Sequence, residues 1–115
     1  MIAIMVRRAP LAAAVALALA APVFSPPGRA ADANAVTIDD FAFAPATLTV
    51  AAGAKVTWTN RDGEPHTVLA AEPKGMFKSP ALDTDDSFSF TFVKPGIYTY
   101  FCSVHPHMTG TIVVK

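Results

Sequence analysis

The sequence predicts an all-β fold, a small Greek-key β-sandwich, on three observations. From Ala35 onward apolar residues recur with a period of two, the spacing of a strand with one buried face. Gly, Pro, Asn and Asp punctuate that pattern at short intervals, and no stretch sustains the 3.6-residue period of a helix. The patterned segment is also short, so its strands must share one core between two sheets.

In chain order, residues 36–39 read as a first strand and residues 41–45 as a bend that turns at least one Phe inward. Thr47–Val50 is a second strand, closed by the turn Ala51-Ala52-Gly53. Residues 55–60 alternate with Val56 and Trp58 on the core face, and the Asp62-Gly63 pair marks the next turn. Pro65 stiffens the entry into an extended run from His66 to Leu69. Residues 71–86, with Pro73, Gly75 and Pro80, read as an irregular surface crossover that carries Met76 and Phe77. Ser87–Phe92 places three Phe on one face before the turn Lys94-Pro95-Gly96. Gly96–Phe101 and residues 110–114 complete about seven strands, with Trp58, Phe88, Phe90, Phe92 and Tyr98 as the expected core.

Residues 1–31 differ from the rest. Arg7 and Arg8 precede an apolar run from Leu11 to Ala21, and a Pro-rich close leads to small residues at positions 30–35. This is the pattern of a secretory signal peptide, residues 1–31, with cleavage between 30 and 35 and export from the cytoplasm. The run is shorter than the roughly 20 apolar residues of a membrane span and is bracketed by Pro10 and Pro22, so no stable membrane insertion is expected. Residues 32–115 then form a single domain, too short for two and expected to be a monomer. The 115-residue chain has nine basic and nine acidic residues, but loss of Arg7, Arg8 and Arg29 leaves six against nine. That balance excludes nucleic acid as a partner.

The single cysteine, Cys102, cannot form an internal disulfide in an oxidising compartment and calls for another explanation. Two residues separate it from His105, and two more separate His105 from Met108, in a loop between two strands. A thiolate, an imidazole and a thioether at that spacing suit copper, and His66, opening a strand after a turn, supplies the second imidazole. The candidate metal ligands are therefore His66, Cys102, His105 and Met108. His107 points away from its neighbours and is read as exposed. Met76 is read as a cover for the site or part of a contact surface.

The run from Phe43 to Val68, with Pro45, Gly53, Trp58, Asn60 and Pro65-His66, and the run from Pro95 to Gly110, with Tyr98, Tyr100, Cys102, His105, Pro106 and Met108, resemble the plastocyanin and amicyanin branch of the cupredoxins. The short Cys-to-Met loop is most similar to that of amicyanin. The resemblance implies one type 1 blue copper per chain and an electron-transfer role without enzymatic activity. Its redox partners would be proteins, a dehydrogenase as donor and an acceptor such as a c-type cytochrome. The competing reading is a periplasmic copper carrier that delivers the ion to a cuproenzyme; Cys102 argues against it, because such carriers favour Met- and His-rich sites without a rigid thiolate.

Three finer expectations follow. Thr67 stands where the family often has Asn, so the brace between the two ligand loops is expected to be weak. Val104 stands where amicyanins tend to have Pro, and its N–H is expected to donate to the Cys102 sulfur. Val104, Pro106, Met108 and the Met76-Phe77 loop are expected to form an apolar docking patch around His105.

Overall fold

The computed structural model describes residues 34–115, and the expected signal peptide lies outside the described residues. Eight strands form: β1 (Ala35–Asp39), β2 (Ala42–Ala44), β3 (Thr47–Val50), β4 (Ala54–Asn60), β5 (Leu69–Glu72), β6 (Ser87–Phe92), β7 (Gly96–Phe101) and β8 (Thr109–Val114). They make two four-stranded sheets, β2-β1-β4-β6 and β3-β8-β7-β5. The pairs β1–β4 and β3–β8 are parallel and the remaining pairs antiparallel, so the chain crosses repeatedly between sheets, as in a Greek-key sandwich. Among the described residues no helix is long and apolar enough to cross a membrane.

The period-two pattern decides which side chains meet. On β4, Val56 and Trp58 are fully buried, and their register partners on β6 are Phe90 and Phe88. On the outer face of the same pair, hydroxyls meet instead: Thr57 with Ser89 at 2.7 Å and Thr59 with Ser87 at 2.8 Å. Trp58, Phe92 and Tyr98 are buried as expected, whereas Phe88 and Phe90 are half-buried against that core. Fully burying each large apolar side chain contributes about 2 kcal/mol, so the aromatic cluster carries much of the sandwich.

Two segments depart from the expectations. Residues 42–44 are a strand rather than part of a bend, because Asp40 and Phe41, at φ 54° and 56°, make the two-residue turn of a β1–β2 hairpin. Phe43 points inward and is buried, while Phe41 is left 43% exposed. Phe77 is no surface residue: it is 4% exposed, with its ring against Trp58, Phe90, Phe92 and Tyr100. The strand expected over residues 66–69 is displaced: β5 begins only at Leu69 and runs to Glu72, with a register shift between Ala70 and Glu72, while His66 makes an isolated bridge with Leu82.

Candidate metal centre

His66 lies in the connection from β4 to β5, where the chain passes from one sheet to the other. Its backbone exchanges two hydrogen bonds with Leu82, at 3.1 and 2.8 Å. Asn60, fully buried at the end of β4, ties this loop together: Nδ2 donates to the carbonyls of Glu64 and Leu82, both at 2.8 Å, and Oδ1 accepts from the Asp62 amide at 2.9 Å. The second loop, between β7 and β8, closes on itself, since the Cys102 amide donates to the Met108 carbonyl at 3.1 Å and the Met108 amide to the His105 carbonyl at 2.9 Å. Each loop is thus closed by its own hydrogen bonds.

Together the loops bring one donor atom each from His66, Cys102 and His105 within 4.8 Å of one another. The Cys102 Sγ stands 3.8 Å from Nδ1 of His66 and 3.8 Å from Nδ1 of His105. A thiolate and an imidazole bound to one ion by bonds of about 2.3 and 2.0 Å, at an angle near 120°, lie about 3.7 Å apart. The separations therefore match three ligands around a single ion. Met108 is buried beside them through its backbone bonds to the same loop, and His107 is exposed, its ring 6.5 Å from that of His105.

The electrostatics suit a thiolate. Burial alone would push the Cys102 thiol up, but a hydrogen bond from the Thr67 amide, contacts with the His66 and His105 rings and the His105 backbone together bring it down to about 6. The expected Val104 donor is not among these. Sγ is reached by the Thr67 amide at 3.4 Å and the Thr67 hydroxyl at 3.8 Å, while the Val104 side chain is 54% exposed. Thr67 is also no weak substitute as a brace: its hydroxyl accepts from the Ser103 amide at 2.8 Å and bonds the Ser103 hydroxyl at 2.8 Å. Two ligand loops 36 residues apart are thus joined through one side chain.

Two residues that the sequence reading passed over shape the site. Asp62 accepts from Nε2 of His66 at 2.8 Å, which puts the proton on Nε2 and leaves Nδ1 free to face the thiolate. The same carboxylate accepts from the amides of Asp40 at 2.7 Å and Phe41 at 3.0 Å. It thereby holds a bulky residue in the left-handed region, where it rarely sits. Phe41 then lies edge-on to both imidazoles, its centroid 5.4 Å from His66 and 5.0 Å from His105. The spacing of Asp62 and His66 around an Asp-Gly turn was a hint of the first contact; nothing local announces the second.

The apolar surface around His105 is therefore only in part the one expected, with Val104 and Pro106 exposed. Phe77 and Met108 are buried and cannot belong to it, whereas Phe41 and Val104 are exposed. A soft thiolate, two imidazoles whose Nδ1 atoms face it and a buried thioether in the same loop fit one type 1 copper.

Comparison with known proteins agrees with that chemistry. The cupredoxin-like domain family matches residues 9–114. Amicyanin-alpha of Methylorubrum extorquens is 35% identical over 88 residues, 74% of each chain. The chloroplastic plastocyanin of Tetradesmus obliquus is 39% identical over 85 residues, covering 64% of this chain and 58% of that protein. Among solved structures, a purple cupredoxin from Nitrosopumilus maritimus superimposes with a TM-score of 0.67 at 32% identity, over 70% of this chain and 98% of that one.

Proposed function

The chain belongs to the cupredoxin-like domain family, and from that membership we propose that it is a periplasmic carrier of single electrons, with copper held by His66, Cys102, His105 and Met108. The observation that carries this reading is the buried Cys102 Sγ equidistant, at 3.8 Å, from the Nδ1 atoms of two histidines. Bound there, copper supplies the Cu(I)/Cu(II) couple. The protein's part is to hold its donors still. Asn60 fixes the His66 loop, Asp62 orients the His66 ring, and Thr67 ties that loop to Ser103. Donors locked this way move little between redox states, which keeps the barrier to electron exchange low.

His105 is the partly exposed imidazole, and Phe41 and Val104 are exposed beside it. A small apolar rim of this kind suits brief docking by redox proteins, a dehydrogenase as donor and a c-type cytochrome as acceptor. A signal peptide at residues 1–31 would deliver the protein to the periplasm, where a monomer suits a shuttle between larger partners.

The deciding test is titration of the purified chain with Cu(II). One equivalent should produce an intense visible thiolate-to-copper band, and Cys102→Ala should abolish it while leaving the fold intact. Stoichiometric binding without that band would sink the electron carrier and favour delivery of copper to another protein.

A further inference from the structure

Outside the metal centre the described residues line a half-open cavity of about 410 Å³ between β5, the loop after it and the end of β7. Its apolar wall is formed by Leu69, Ala71, Phe77 and Phe101, and Lys74 and Lys78 also line it. The cavity is built into the backbone. The register shift between Ala70 and Glu72 bows β5 against β7. The loop is then pinned across the bow by the Ala70 amide on the Phe77 carbonyl at 2.9 Å, the Ser79 amide on the Val68 carbonyl at 2.9 Å and a bridge between Leu69 and Lys78. Gly75, at φ +77°, makes the tight return that leaves the space open.

Both lysines are exposed, and neither forms an ion pair with Glu72 or any other acid among the described residues. Among the described residues the other exposed acids, Asp39, Asp40, Glu64, Asp83, Asp85 and Asp86, do not line the cavity. An apolar hollow of ligand size with two free ammonium groups has a defined complement. We propose that this cavity is a binding site for a small amphipathic anion, a compact aromatic or short alkyl body carrying one carboxylate. The body fills the space against Leu69, Ala71 and Phe101, and the carboxylate meets Lys74 and Lys78. A neutral body of the same shape lacks the second half of that match, and an inorganic anion lacks the first.

The location gives such a ligand a route to the metal centre. Phe101 immediately precedes Cys102, and Leu69 follows by two residues the Thr67 whose amide donates to Sγ. No cavity residue is a proposed metal ligand, so binding is expected with or without copper, and its failure would leave the electron-transfer reading untouched.

The test is a titration of the ¹⁵N-labelled, reduced, copper-loaded chain with 3-phenylpropionate, followed by amide shifts, with 3-phenylpropanol and sodium acetate as controls. The expected result is saturable shifts confined to Leu69, Ala71, Gly75, Lys78 and Phe101, several-fold weaker binding of the alcohol and none of acetate. The double substitution Lys74→Glu with Lys78→Glu should weaken binding about tenfold, as loss and reversal of two exposed ion pairs would, and Ala71→Trp should fill the space and abolish it. Equal affinity for acid and alcohol, no response to the charge reversal, or shifts centred on His105 and Val104 would each overturn the proposal.

Discussion

Asp62 and His66 are four residues apart, and the Asp62 carboxylate receives the Nε2 proton of the imidazole at 2.8 Å while also receiving the amides of Asp40 and Phe41. One side chain therefore sets the tautomer of a proposed ligand and the position of the aromatic ring that lies against it.

Replacement of Asp62 by Asn leaves one acceptor oxygen where there were two, so at least one of the three N–H groups loses its partner. A loss of about 1–3 kcal/mol is expected, with copper affinity falling about 10–100-fold. The pH dependence has a definite sign. Burial raises the Asp62 carboxyl, but the bonds from Phe41, Asp40 and His66 outweigh it and hold the group below its ordinary 3.8. Its contribution is complete above that value and is lost as pH falls below it. Urea midpoints measured from about pH 6 down to about pH 3 should fall more steeply for the native chain than for Asp62→Asn; parallel curves would show that the carboxylate is not held this way.

In the metal-free protein the Cys102 thiol is expected to ionise near 6 rather than at its ordinary 9.0. Because the folded value is the lower one, thiolate formation stabilises the metal-free fold as pH rises from about 6 to 9 and gives nothing below that window. Thiolate absorbance in the ultraviolet, followed through a pH titration, should show the midpoint. Replacing Thr67 by Pro, which removes the amide donor to Sγ, should move that midpoint upward; an unmoved midpoint would assign the shift to the histidines alone.

Phe77 and Met76 should behave oppositely despite being neighbours. Phe77 is packed among four core aromatics, so Phe77→Ala should cost about 3–5 kcal/mol. Met76 is 36% exposed, and its replacement by Ala should stay within about 0.5 kcal/mol. Chemical denaturation of the two variants separates a core plug from the surface contact that the sequence suggests.

Gly110 on β8 has no room for a side chain, since a Cβ there would meet Cζ and the hydroxyl of Tyr100. Tyr100 is 1% exposed, and its ring packs on Trp58 at 5.3 Å and on Phe43 at 4.7 Å, so it cannot swing aside. Gly110→Ala should cost about 1–3 kcal/mol. Adding Tyr100→Phe should not restore stability, because the ring carbon itself obstructs; full rescue would place the conflict at the hydroxyl alone.

The sandwich was legible because its strands carry their burial in a local alternation, as Lys55-Val56-Thr57-Trp58 does, and the ligand loop because its donors are three residues apart. What escaped depends on distant partners. The β1–β2 hairpin lacks the usual Asn-Gly or Asp-Gly signal; its turn of Asp40 and Phe41 is stabilised by a carboxylate more than twenty residues away. The apolar Phe77 reads as surface until the crossover is seen to fold back along β5. The sequence points to a donor for Cys102 at Val104, inside its own loop, but the amide that reaches the sulfur comes from the other loop.

The parallel pairing of β3 with β8 sets Leu48 beside Ile112. Residues 47–50 can close that half of the second sheet only by meeting residues more than sixty positions away, and the Cys102 loop, which leads into β8, is anchored by the same pairing. Non-local pairings of this kind come late in folding. Copper should therefore be captured by a sandwich whose two sheets have already closed, as a final seal on the fold and not as the seed around which it gathers.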